Sequence, residues 1–136
     1  MNIFDNWNDV KKNINSKKNT KTLKERDVFF MSIGENIGDE QNGKGDLFLR
    51  PVLVIRKLSP TLFLGVPLSS QSKKDSIFYK EFSLHGKKST ALLSQVRLFD
   101  SKRIEYFHEK VSVGNFKKVK EKRIELIRYA FLFFTP

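Results

Sequence analysis

The sequence predicts a mainly β fold, a small and strongly curved antiparallel sheet or partly closed barrel, with a C-terminal helix and an extra helix at the N-terminus. Three observations predict it. Five or six short segments rich in β-branched and aromatic residues follow one another between turn signals. Apolar residues at helical spacing are confined to the two ends of the chain. Its 136 residues, with no cysteine, suit a single core built without disulfides or a thiolate metal site.

In chain order, Phe4, Trp7, Val10 and Ile14 recur at spacings of three and four and mark one face of a short amphipathic helix. From Asn15 to Lys24 the composition turns to Lys, Asn, Ser and Thr, which predicts a flexible connection. Residues 1–25 thus read as a helical extension and polar linker, and residues 26–136 as the barrel domain. Val28 to Ile33 reads as a strand bounded by Gly34. The polar, glycine-bearing stretch from Gly34 to Leu49 is long for a connection, and such loops are commonly functional or disordered. Val52 to Ile55 is uninterruptedly apolar, as expected of a strand covered on both faces, and Pro51 can open it because a first residue need not donate to the ladder.

Leu58-Ser59-Pro60-Thr61 turns the chain into a strand from Leu62 to Leu68. Ile77 to Leu84 follows, with Phe78, Lys80, Phe82 and Leu84 on one side. After the turn His85-Gly86-Lys87-Lys88, a strand is predicted from Thr90 to Phe99, interrupted at Ser94 and Gln95. Asp100 and Ser101 can cap a single helical turn through Ile104. Phe107 to Val113 reads as a last strand. Asn115 opens a helix with Phe116, Val119, Ile124, Ile127 and Phe131 on its apolar face.

Twenty-six Lys and Arg against fifteen Asp and Glu give a formal charge of +11. A field of that sign favours polyanions, because neutralising phosphates releases counterions, although an acidic protein would be attracted by the same charge. No apolar run is long enough to span a bilayer, and the N-terminus lacks the apolar stretch of a secretion signal. A cytoplasmic location without a membrane partner is the expectation.

Ordinary catalytic sets are absent. His85 and His108 are distant in sequence, lie in no nucleophile elbow and read as exposed side chains. Metal-ligand spacing and phosphate-binding glycine patterns are missing, so no metal or cofactor is expected. Asp39, Glu40 and Asp46 could serve a carboxylate metal site, but acids in such a loop read as solvated turn residues. What remains is Arg50 at the start of one strand and Ser69-Ser70-Gln71 at the end of the next. Consecutive antiparallel strands joined by a tight turn place these ends at one edge. A guanidinium with adjacent hydroxyls has the composition of a phosphodiester clamp. Equally, Arg50 could pair with Glu40 or Asp46 while the serines cap a turn.

Four blocks in order carry a family resemblance: Arg26-Asp27-Val28; Gly38-Asp39-Glu40-Gln41-Asn42-Gly43 leading to Arg50-Pro51-Val52-Leu53-Val54; Val66-Pro67-Leu68-Ser69-Ser70-Gln71; and Leu92 through Asp100. Over roughly residues 26–130 the sequence resembles the MazF/PemK (Kid) toxin endoribonucleases of type II toxin–antitoxin systems. The resemblance implies an SH3-like small barrel, a homodimer, and metal-independent cleavage of single-stranded RNA such as mRNA at short sequences, restrained by a cognate antitoxin. It implies that the 2′-hydroxyl attacks its own phosphate, leaving 2′,3′-cyclic phosphate and 5′-hydroxyl ends. Arg50 and Ser69 would be catalytic, and Glu40, Gln41, Lys44, Ser70, Gln71, Lys73, Gln95 and Arg97 would contact RNA. The alternative function is a non-catalytic SH3-like barrel that binds RNA or a protein target.

The chain departs from the family pattern in three places. Lys44 to Leu49 lengthens the loop before Arg50. Ser94 stands where many members have an acid, and Leu92 where the PemK branch has an arginine. Residues 1–25 have no family counterpart, so their helix is expected to cover the groove, extend the dimer or bind a partner.

Overall fold

The computed structural model describes residues 2–19 and 21–134, with side chains as far as Phe131. Seven antiparallel strands form one curved sheet that does not close: β1 (Asp27–Ser32), β2 (Leu49–Lys57), β3 (Leu62–Ser69), β4 (Tyr79–Leu84), β5 (Lys87–Leu92), β6 (Arg97–Asp100) and β7 (Ile104–Lys110). Helix α1 spans Ile3–Asn15 and helix α2 spans Val113–Phe134. The strand order is β4-β5-β3-β2-β1-β7, with β6 alongside β3. No helix among the described residues is long and apolar enough to cross a membrane.

Strand β2 lies at the centre of this arrangement. Val52, Leu53, Val54 and Ile55 are all buried and alternate between two apolar clusters. Leu53 and Ile55 join Val28, Val66 and Leu68 under α2, whose Phe116 and Val119 cover that face. Val52 and Val54 join Phe29, Met31, Phe63 and Phe99 on the other. The unbroken apolar run therefore reflects a strand covered on both faces, as its sequence predicts.

Four expectations require correction. The predicted strand from Thr90 to Phe99 is two strands, β5 and β6, separated by a 3₁₀ turn at Leu93–Gln95. The break lets one side of β3 pair twice: Leu68 and Ser69 with β5, and Leu62 to Gly65 with β6. Second, α2 buries Phe116 and Val119 near its start, while Ile124, Ile127 and Phe131 are exposed. Leu126 is the later apolar residue that still packs against the core, so the helix keeps contact along a different face from the one the spacing predicts. Third, Phe78 precedes β4 and is exposed, whereas Phe82 and Leu84 point into the core.

The fourth correction concerns the segment after α1. Its described residues are tied to the body of the protein at several points, where a flexible or weakly ordered connection is expected. Lys102 Nζ donates to the Asn15 carbonyl (3.2 Å), Lys17 pairs with Glu105 (3.6 Å), and Leu23 is buried in the cluster with Met31 and Val54. Its polar composition conceals these ties because each partner lies far away in sequence.

Candidate functional site

The site is built at the end of the sheet where β2 begins and β3 ends. Val52 pairs with Pro67 in antiparallel register, and the same register carried two residues onward sets Arg50 opposite Ser69. On its other side Arg50 pairs with Met31 of β1. Arg50 is buried, and its guanidinium donates from Nε to the Asn42 carbonyl (2.7 Å) and from Nη1 to the Leu68 carbonyl (3.1 Å). No ion pair with Glu40 or Asp46 forms; among the described residues no carboxylate neutralises this cation. Burial pushes the Arg50 pKa below its ordinary value, yet a guanidinium stays charged in a protein. The result is a fixed positive charge held by two backbone oxygens.

Ser69 keeps part of the turn role considered for it, since its Oγ accepts from the Gln71 N–H (3.1 Å). A hydroxyl that accepts at its oxygen still has its own proton to donate. The Gln71 carbonyl in turn accepts from Thr90 Oγ1 (2.9 Å), which anchors the turn to β5.

The loop between β1 and β2 is not a loose polar arm. Asn36 organises it: its backbone N–H donates to Asn42 Oδ1 (2.6 Å), and its Nδ2 donates to the Gln41 carbonyl (2.7 Å). This staple places the Asn42 carbonyl where Arg50 needs an acceptor. Residues 44–49 close on themselves, with paired Lys44 and Leu49 backbone bonds of 2.8 Å. Gly43 crosses so close to Phe48 that a Cβ there would lie 1.8 Å from the Phe48 carbonyl oxygen. Phe48 has a left-handed backbone (φ 53°), a conformation costing on the order of 1–2 kcal/mol for a residue with a side chain. Its ring is nevertheless buried beside Trp7 of α1, with centroids 5.4 Å apart. The two family departures, insertion and extension, thus pack against each other.

A groove of about 290 Å³ is lined by residues that include Asn36, Pro67, Glu40, Gln41, Gln95 and Arg97; Arg50 and Ser69 do not line it, and are linked to it through the Asn36-stapled loop and through β3, which carries Pro67. Gln95 joins its walls by accepting from the Gln41 N–H (3.1 Å) and donating to the Asp39 carbonyl (3.3 Å). Arg97 lies over the Phe99 ring at 4.8 Å. The structure therefore gathers Glu40, Gln41, Gln95 and Arg97 into one cleft. Ser70, Gln71 and Lys73 continue past β3, with the Lys73 ammonium 5.0 Å from the Tyr79 ring centroid. Lys44 stands on the inserted turn and lines no part of this groove.

Neither histidine lines it. His85 pairs with Glu109 at 2.7 Å and His108 packs edge-on against Phe30. Among the described residues, no group of three or more His, Asp or Glu side chains converges as a metal site would require.

Sequence reasoning missed Asn36 and Arg103. The amide-rich loop signalled the first only as generic turn chemistry. Arg103 donates to the Ser32 carbonyl (3.0 Å) and lies 5.9 Å from the Trp7 ring, contacts that no local spacing reveals.

The fold has close counterparts. MazF from Deinococcus radiodurans superposes with a TM-score of 0.60 at 24% identity, covering 79% of this chain and 97% of that one. The same organism's MazE–MazF complex gives 0.56 at 20% identity, over 79% and 96%. An endoribonuclease in complex with its cognate antitoxin from a mycobacterial species gives 0.61 at 7% identity, over 78% and 95%. No curated protein matches in sequence. The family model of PemK-like, MazF-like toxins of type II toxin–antitoxin systems matches residues 24–127, from the end of the linker through most of α2. The chain belongs to that toxin family.

Proposed function

We propose that this toxin is an endoribonuclease that cleaves single-stranded RNA, mRNA included, at short sequences by metal-independent attack of the 2′-hydroxyl, and that a cognate antitoxin restrains it. The observation that carries the reading is Arg50, a buried cation with no carboxylate partner among the described residues, in a register that sets it opposite Ser69. An uncompensated buried guanidinium is costly unless a ligand supplies the anion. A phosphodiester supplies it.

In the reaction, the O2′–P bond forms as the P–O5′ bond breaks, giving a 2′,3′-cyclic phosphate and a 5′-hydroxyl. Charge grows on the non-bridging oxygens of the phosphorane. Arg50, pinned by two carbonyls, needs no reorganisation to meet that charge, and the Ser69 hydroxyl adds a donor. Glu40 is the one carboxylate lining the groove and the candidate to take the 2′-hydroxyl proton. The leaving 5′-oxygen takes a proton from water and Glu40 returns its proton to solvent, so the net change is one proton moved from O2′ to O5′. Gln41, Gln95 and Arg97 in the cleft would hold flanking nucleotides, and Ser70, Gln71 and Lys73 past β3 and Lys44 on the inserted turn would meet RNA that extends beyond it. The same reading carries a cytoplasmic homodimer, for which exposed Ile124 and Ile127 offer apolar surface.

The experiment is incubation of the purified protein with a long unstructured RNA in excess EDTA, followed by sequencing of fragment ends. Discrete fragments with 5′-hydroxyl ends are expected. RNA that stays intact across several sequences, in protein free of antitoxin, would replace this reading with a non-catalytic binding barrel.

A further inference from the structure

Helix α1, which lies outside the family match, forms a second groove with residues inside it. It lies between α1 and the corner where β6 ends, has a volume of about 410 Å³, and is lined by the buried Trp7 and Ile14 together with Lys11, Lys12, Lys102, Arg103 and a single carboxylate, Asp100. That carboxylate is already engaged: Asp100 Oδ1 accepts from the Lys102 N–H (2.8 Å) and from Asn19 Nδ2 (3.5 Å). Four cations therefore face one committed anion. Two of them, Lys11 and Lys12, are exposed and make no side-chain hydrogen bond among the described residues. Past Asn15 the basic surface continues through Lys17, Lys18 and Lys21, which line a smaller depression that shares Lys102.

This groove adjoins the candidate site. Strand β6 carries Arg97 of the first cleft at one end and Asp100 of the second at the other. Burial lowers the Arg103 pKa first, and the nearby Arg97 charge lowers it further, so the two guanidiniums sense one another. Asp100 offsets part of that repulsion, and a phosphate at the junction would be attracted by both guanidiniums. Helix α1 is held there by Trp7, which fits over Gly34: a Cβ on that glycine, whose φ is +95°, would lie 2.4 Å from the indole. The helix is thus seated on the body of the protein before any ligand arrives.

We propose that the groove between α1 and the β6 corner binds the phosphate backbone of the RNA strand at nucleotides flanking the cleavage site, extending the first cleft. The inference rests on the reading of this protein as an RNA-cleaving toxin. Its chemistry is that of backbone tracking, with lysine point charges and amide donors but no exposed ring for base stacking. An acidic protein segment is the competing occupant; four cations against one carboxylate, continued by Lys17, Lys18 and Lys21, form the kind of extended basic track that a phosphate backbone follows.

The test uses the full chain and 2′-O-methylated RNA of randomised sequence, about 12 nucleotides long, a length matched to the site sizes of single-strand grooves. This RNA cannot be cleaved by its own 2′-hydroxyl. Affinity is measured by fluorescence anisotropy across a salt series for the wild type, for Lys11→Gln/Lys12→Gln, and for the charge-reversed Lys11→Glu/Lys12→Glu. Removing two phosphate contacts should reduce the slope of log affinity against log salt by about 1.4 and weaken binding at least tenfold near 0.1 M salt. Charge reversal should weaken it more, with unaltered thermal unfolding. A wild type that binds and cuts RNA beside variants with the same salt slope overturns this inference and leaves the proposed function standing. Loss of affinity for polyglutamate with RNA binding retained overturns it in favour of a protein partner. A wild type that neither binds nor cuts RNA overturns both.

Discussion

Arg50 and Arg103 occupy comparable positions in two different parts of the molecule. Each is a largely buried guanidinium that donates Nη1 to a backbone carbonyl, Leu68 at 3.1 Å and Ser32 at 3.0 Å, and in each burial is the leading cause of a lowered pKa. Their settings differ. Arg50 is positioned by β1, β2 and the Asn36-stapled loop, all inside the segment that matches the toxin family. Arg103 is covered by Trp7, which belongs to the helix that the family model leaves out. The same chemical device is therefore built once by the shared sheet and once by an addition to it. The first is as rigid as the sheet, and the second is as stable as the docking of α1.

The sharpest way to separate the two regions is Arg50→Ala. It removes a preorganised cation from the place where negative charge develops, and losses for such groups are on the order of 10² to 10³ in rate. Cleavage in EDTA should fall by that much while the far-ultraviolet dichroism of the sheet is retained. Arg50→Lys should recover little, because an ammonium cannot donate to both the Asn42 and Leu68 carbonyls in the planar fork that the site uses. A variant without Arg50 that cuts at the wild-type rate would remove it from the site.

Trp7→Ala tests the other side. The indole is buried against Phe48, Ile14 and Gly34, and deleting a large ring from such a cluster costs about 3–5 kcal/mol. Because the cluster ties one helix to the body, the loss should appear as local release of α1. Its amides should exchange at the rate of an isolated helix while those of β2 stay protected. Equal loss of protection in β2 would mean that the addition and the sheet form one cooperative unit.

The two regions also differ in how far they can be read in advance. The strands around Arg50 were legible because each carries a local signal: four consecutive apolar residues after Arg50-Pro51, and a Pro-Leu-Ser-Ser ending on β3. Antiparallel register then converts that signal into a spatial pair. The insertion gave the opposite experience. Lys44-Gly45-Asp46-Leu47-Phe48-Leu49 reads as a mobile, polar, glycine-bearing loop, whereas Phe48 is buried and the turn is closed by two backbone bonds. Its order comes from Trp7, some forty residues earlier in the chain. Tertiary partners likewise order the Lys- and Asn-rich strap after α1. The break at Leu93–Gln95 was visible as two polar residues, but its purpose, letting β3 pair with two strands, belongs to the topology.

Gly43 is where the regions meet, and Gly43→Ala should show how strongly they are coupled. The added methyl would meet the Phe48 carbonyl, a backbone atom that can move only by opening the inserted turn or by shifting Asn42. Since the Asn42 carbonyl accepts from Arg50 Nε at 2.7 Å, displacing it frees one side of the guanidinium. Cleavage should fall by about tenfold, the effect of a catalytic hydrogen bond weakened by 1.4 kcal/mol. Unchanged cleavage together with faster exchange in α1 would show that the strain leaves through the insertion alone.

The smallest effect distinguishes forming α1 from docking it. Asn2 caps the helix by accepting from the Phe4 N–H (2.8 Å), and Asp5 completes the reciprocal box by accepting from the Asn2 N–H (3.3 Å). Asn2→Ala removes the first of these bonds and touches none of the packing around Trp7, so it should cost about 1 kcal/mol. If helix formation and docking are one event, that loss raises amide exchange evenly along α1, by roughly fivefold for each 1 kcal/mol. If Trp7 and Ile14 hold the helix regardless of its first turn, faster exchange is confined to residues before Trp7. Cleavage is unaltered in either case, because no atom of the cap approaches Arg50 or the groove linked to it. A drop in cleavage from this one remote change would contradict the separation drawn between the sheet-built and helix-covered arginines more directly than any larger lesion, since it leaves every side chain around both of them in place.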